Sequence, residues 1–228
     1  MNQIDKNTVK AENQLKETEF VSYYRPEGGG IRVLFVGNSI TRHGVCDDIG
    51  WHVDWGMAAS AQEKDYVHLV AAEVLKEHPD AAFCICQAAE WERNCYHGED
   101  TFAYYREARN FGADVIVMRL VENCPQGDYD GERYREEYGK LLAYLNPTGQ
   151  ASVIITTGFW KHIADGAIRE FAERKGYAMA ELNDLGEADC MKALGLFAHS
   201  GVANHPGDLG MQAIADRILE KMRSEGIL

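Results

Sequence analysis

The stretch VLFVGNSITRHG, residues 33–44, runs four apolar residues straight into a serine set between an asparagine and a β-branched pair. Read one way, Ser39 belongs to a polar turn at the end of a strand. Read the other way, the strand aims Ser39 into a site. Two more residues of chemical type follow comparable runs. Asn123 closes VEN behind the apolar DVIVMRL (114–120), and His205 lies in GVANHPGD (201–208), just before the last helical pattern. A serine, a side-chain amide and a histidine are the parts of an acyl-transfer site: nucleophile, oxyanion donor and base. Each has a bland reading too, as turn residue, loop cap and helix-entry residue. The elements that carry them decide.

Short apolar runs at 32–36, 82–86, 114–120, 151–157 and 177–182 read as strands. They alternate with helical patterns at 99–110, 131–145, 165–175 and 209–224. Ser60 and Glu63 stand at capping-box spacing before a helix whose apolar face is Tyr66, Val67, Val70, Val74 and Leu75, ended by His78-Pro79. Gly112 and Gly176 close two of the others. Five nearly continuous apolar strands separated by helices imply an α/β fold, a three-layer α/β/α sandwich around a five-stranded parallel sheet. The first 30 residues read as a partly helical appendage joined through Gly28, Gly29 and Gly30, with a single domain over 31–228. In such sheets the working surface lies beyond the carboxyl ends of the strands, and that edge receives Ser39, Asn123 and His205.

The 228 residues suffice for one domain with a sizeable core. A net charge of -13 argues against nucleic acid or an anionic membrane as the main partner. The start is polar and mixed in charge, without a secretory pattern, and no apolar run approaches the roughly 20 residues that span a bilayer. A cytoplasmic protein is expected. None of the six cysteines forms a CxxC pair or a Cys/His cluster, so neither a metal nor another cofactor is expected, and buried free thiols are. Cys84 and Cys86 share one face of the second strand.

GNSIT, VEN and NHPGDLGMQAIADRI stand in order at the right strand ends. Together they resemble the blocks of the SGNH (GDSL-type) esterases, over about residues 31–224. The resemblance implies a flavodoxin-like hydrolase fold with Ser39 as nucleophile, His205 as general base, and Asn123 and the Ser39 backbone N–H as oxyanion donors. It further implies a short-chain acyl ester as substrate, O-acetyl on a carbohydrate in the first place. A lysophospholipase or thioesterase with the same machinery, or a non-catalytic binding protein of this fold, is the alternative. A small-molecule or oligosaccharide ester is the expected partner, and assembly into a homo-oligomer is compatible with the sequence.

This chain departs from the family pattern in three places. Val202 stands where an acid often orients the imidazole, so either a backbone carbonyl does so, giving a Ser-His dyad, or another group such as His199 does. Asp208, three residues past His205, reads rather as a cap of the final helix. Val121 replaces the glycine of the Gly-x-Asn block. The second-block glycine is missing from QAAEWER, which leaves a backbone N–H there, Ala89 first, as the third oxyanion donor.

The long segment 46–60 carries Trp51, Trp55 and Met57, and sugar rings stack on aromatic faces. Trp55, Trp91, Arg93 and Asn38 are the candidate substrate contacts, against local packing for the tryptophans and an ion pair between Glu92 and Arg93. His43 could line the site. Cys124 has no histidine with motif support as a partner, which argues against a thiol nucleophile.

Overall fold

The computed structural model describes residues 15–228. In chain order the elements are β1 (Val21–Tyr24), β2 (Arg32–Gly37), α1 (Tyr66–Glu77), β3 (Ala82–Gln87), α2 (Ala89–Arg93), α3 (Arg106–Phe111), β4 (Val115–Arg119), α4 (Gly131–Leu145), β5 (Ser152–Thr156), α5 (Asp165–Lys175), β6 (Ala178–Ala180), α6 (Ser200–Ala203) and α7 (Asp208–Ser224). The sheet order is β1-β3-β2-β4-β5-β6. All pairings are parallel except β1 with β3.

The alternation of side chains along a strand builds the three layers. From β2, Leu34 and Val36 point into a core shared with α2, α3, α4 and α5. Val33 and Phe35 point into the opposite core, beneath α1 and α7. Both faces are covered, which is why the central strands are apolar throughout.

Four expectations need correction. The segment read as an appendage supplies a sixth, antiparallel strand, in which Val21 pairs with Cys86 and Tyr24 with Phe83. Its four residues are too few to show a period, and the helical character expected of the first residues lies outside the described residues. The Gly28–Gly30 join is packed rather than loose: Gly30 N–H donates to Asp80 O at 2.7 Å. Ser60 does not cap α1. Asp65 does, accepting from His68 N–H at 2.8 Å, while Gln62–Lys64 form a separate three-ten turn. A buried carboxylate one residue before the apolar face outcompetes a serine five residues further back. The pattern at 99–110 likewise divides into a three-ten stretch, Cys95–Tyr105, and α3, which Gly112 ends in the left-handed conformation.

Among the described residues no helix is long and apolar enough to cross a membrane, and no cluster of His, Cys, Asp and Glu could hold a metal ion. All six cysteines are free, four of them buried, Cys84 and Cys86 included.

Candidate active site

Gly37 ends β2 because nothing larger fits: a Cβ there would lie 1.8 Å from Thr41 Oγ1 and 3.1 Å from Arg119 O. The chain then turns tightly, with Thr41 N–H and Arg42 N–H both donating to Asn38 O. Ser39 O accepts from Met57 N–H at 2.9 Å, so the far end of the long 46–60 segment pins the turn. The serine is thereby held at the sheet edge between β2 and the N-terminus of α7.

His205 reaches it from the opposite side. Ser39 Oγ and His205 Nε2 are 2.8 Å apart, and His205 Nδ1 is 2.7 Å from Gly201 O. A carbonyl only accepts, so Nδ1 carries the imidazole proton and Nε2 is left as acceptor for the serine hydroxyl. This arrangement is a dyad with a backbone orienter. His199 instead caps α6, accepting from Val202 N–H at 3.4 Å. Asp208 caps nothing in its own helix. It accepts from Ser60 N–H and Ser60 Oγ, both at 2.8 Å, and from Lys64 Nζ at 2.9 Å, which ties the 60–64 turn to α7. A free carboxylate at the first position of α7 suits the helix dipole, and the neighbouring turn supplies its donors.

Burial pushes the His205 imidazole down to about 4, and the Trp160 ring stands edge-on to it at 5.4 Å. The His205 imidazole is therefore neutral across the physiological range, with Nε2 free to accept a proton. Replacing Trp160 by alanine admits water and should move the His205 midpoint upward, toward 6.5. A proton NMR titration of the His205 Cε1–H reads that shift directly, and an unmoved midpoint would assign the depression to other walls of the site.

A cavity of about 180 Å³ opens beside Ser39, lined by His43, Met57, Ala89, Arg93, Asn123 and His205 among others. The Ser39 N–H donates to no acceptor among the described residues, and the Ala89 N–H makes only a long 3.3 Å bond to Gln87 Oε1. With Asn123 Nδ2 these are three donors around one space, which can hold an oxyanion.

Behind the cavity lies a charged network that the sequence analysis did not find. Asn38 is its centre, not a substrate contact: it is 1% exposed and all its polar capacity is used internally. Its Nδ2 donates to Glu92 Oε1 at 3.0 Å and Glu122 Oε2 at 2.6 Å, and its Oδ1 accepts from Arg119 Nη2 at 2.7 Å and Ile40 N–H at 3.2 Å. Arg119 Nη1 also donates to Glu122 Oε1 at 2.6 Å. Phe159 N–H donates to the same oxygen at 2.8 Å. Glu92 Oε2 accepts from Asn123 Nδ2 at 2.5 Å. A signal was present: an arginine inside DVIVMRL, a strand apolar on both faces, must be paired within the core.

The aromatic candidates fall away. Trp91 is wholly buried, packed on Tyr134 and Tyr138. Trp55 faces a different hollow, beside Tyr24, Arg42 and Asp54, and its indole N–H donates to Ala59 O at 3.1 Å. Trp51 is core to the same loop, against Phe197. Arg93 does line the cavity, but its ion pair is with Glu90, one helical turn back, not Glu92. Burial raises the Cys124 thiol far above the usual range, so it is no nucleophile at neutral pH.

No protein-family model matches the chain, and no curated protein matches it either. Solved structures do resemble it in fold. One is a two-domain esterase (CEX) active on acetylated mannans, with TM-score 0.57 and 15% identity over 88% of this chain, which spans only 50% of that longer protein. The esterase EstA from Pseudoalteromonas sp. gives 0.56 at 10% identity, covering 86% of this chain and 99% of that one. A protein assigned to the G-D-S-L lipolytic family from Desulfitobacterium hafniense gives 0.52 at 11% identity, over 83% and 98%. The chain has the fold of SGNH-type hydrolases, with one more strand in its sheet than the sequence pattern implied.

Proposed function

We propose that this protein is a serine esterase that removes short acyl groups, acetyl first, from a carbohydrate. The observation that carries the reading is the hydrogen-bonded line Gly201 O, His205, Ser39 Oγ at the mouth of a small cavity. Ser39 Oγ attacks the ester carbonyl while its proton passes to His205 Nε2. The oxyanion so formed lies among the N–H groups of Ser39 and Ala89 and the amide of Asn123. Collapse expels the alcohol, which takes the proton back from His205. Water, deprotonated by the same imidazole, then releases the acyl group from Ser39.

Cavity size supports a short acyl chain. At about 180 Å³ it falls below the roughly 300–1,000 Å³ of pockets that enclose drug-sized ligands, so it takes the acyl end and leaves the alcohol half outside. The carbohydrate assignment draws its support from the acetylated-mannan esterase of similar fold.

The test is hydrolysis of p-nitrophenyl esters of two, four and eight carbons. kcat/KM is expected to be highest for acetate and to fall at least about tenfold by octanoate, the equivalent of about 1.4 kcal/mol of lost transition-state binding. Rates that rise with chain length would make it a lysophospholipase or thioesterase. No rate on these esters or on acetylated oligosaccharides would make it a binding protein.

A further inference from the structure

The Asn123 side chain is held at one end only. Its Nδ2 donates to Glu92 Oε2 at 2.5 Å, while its Oδ1 accepts no bond among the described residues. Glu92 is wholly buried, and its other oxygen takes a hydrogen from Asn38. Asn38 cannot turn, because Arg119 and the Ile40 N–H occupy its Oδ1 and Glu122 takes its second amide hydrogen. One oxygen of Glu92 is thus clamped by a rigid partner, and the other is the sole anchor of the amide that borders the cavity.

We propose that Glu92 is a positioning residue whose ionised carboxylate, clamped by Asn38, holds the Asn123 amide with its second Nδ2 hydrogen toward the substrate oxyanion. A carboxylate has two acceptor oxygens and no donor, so it takes a hydrogen from each amide on a separate oxygen. This role rests on the reading of Ser39 and His205 as nucleophile and base.

The clamp has a titration. Burial first, and the Glu122 charge second, push Glu92 up to about 8, against the bonds from Asn123 and Asn38 and the Arg119 charge. The other titratable groups around it are Tyr134 and Tyr138 on α4 and Cys124 after β4, all raised and neutral over this range, and the Cys95 thiol, which its bond with Cys124 lowers and which Glu92→Gln leaves in place. A proton on Glu92 must leave by Oε2, since Asn38 offers only donors to Oε1. Asn123 then has to rotate and present its Oδ1, which takes its Nδ2 hydrogens off the oxyanion. Activity is therefore expected to climb through about pH 8 to a higher plateau, with the final loss near pH 4 belonging to His205.

The test is a double-mutant cycle on p-nitrophenyl acetate. Glu92→Gln keeps the shape but puts an amide donor against one of the two amides. It should lower kcat about 10- to 100-fold with KM within about twofold. In an Asn123→Ala background the same change should cost nothing further. The step near pH 8 should vanish in both single variants. An undiminished kcat in Glu92→Gln, while Ser39→Ala remains inactive, overturns the role and leaves the esterase reading intact. An equal loss in the Asn123→Ala background also overturns it, since Glu92 would then act without Asn123. A pH step that survives in Glu92→Gln overturns the titration. Should Glu92→Gln fail to fold, Glu92→Asp, which keeps the charge but withdraws the oxygens by one methylene, is judged by kcat and by the cycle with Asn123→Ala: an undiminished kcat, or an equal loss in the Asn123→Ala background, overturns the role.

Discussion

Ser39→Ala is expected to lower kcat on p-nitrophenyl acetate roughly 10⁴- to 10⁶-fold, with His205→Ala costing a comparable factor and the double variant little more. The near-equality follows from the geometry. The hydroxyl is a useful nucleophile only while Nε2 takes its proton, and Nε2 is the acceptor only because Gly201 O fixes the proton on Nδ1. Neither residue has anything to do without the other, so their losses cannot add. The fold should survive. Ser39 Oγ has a single partner among the described residues, and a typical hydrogen bond contributes about 0.5–1.5 kcal/mol net. Thermal melts of the variants therefore separate lost chemistry from lost structure. Substantial ester hydrolysis by well-folded Ser39→Ala would remove the serine from the reaction altogether.

The parts of this site that could be read from the sequence are those whose position follows from strand periodicity. Ser39 and Asn123 stand just beyond apolar runs, and His205 precedes the final amphipathic helix. Once the sheet is parallel, all three must share an edge. The unreadable parts are of two kinds. Gly201 acts through its carbonyl, and a backbone group leaves no mark on residue type. Glu92 and Glu122 carry side chains that normally face water, and in QAAEWER the pattern offers no reason to bury Glu92 while leaving Glu90 partly open to solvent. That choice is made by Asn38 and Arg119, which lie far away in the chain and next door in the sheet. Trp55 and Trp91 misled for the converse reason: a large aromatic ring fills a core or stacks on a ligand equally well, and only the surroundings distinguish them. The edge strand β1 escaped because a four-residue strand takes its register from β3, not from its own pattern.

Asn38→Asp tests whether that network is as constrained as it looks. The replacement is isosteric. In this chain it should destabilise by about 3–5 kcal/mol at pH 7, the usual cost of a buried charge without compensation. At 228 residues that is a fall of roughly 6–20 °C in Tm. Asn38 Nδ2 donates to two carboxylates, Glu92 and Glu122, which face a single guanidinium, Arg119. An aspartate there withdraws both donors and adds a negative charge within hydrogen-bond distance of Glu122 and of Glu92, the latter itself ionised only above about pH 8. Only the Oδ1 side, bonded to Arg119 and the Ile40 N–H, is unaffected. The deficit should depend on pH with a definite sign. Crowding among carboxylates raises the folded-state pKa of the new group above its unfolded value of about 3.9, so the native state binds the extra proton more readily. The variant therefore recovers relative to the parent as pH falls below that raised value, and regains most of the difference by about pH 4. Denaturant melts at pH 5 and pH 8 decide the matter. A deficit larger at pH 8 than at pH 5 is the signature of the crowded carboxylates. A deficit independent of pH would mean that Asn38 matters only as a hydrogen-bond donor, and that the burial of Glu92 is balanced by something other than this asparagine.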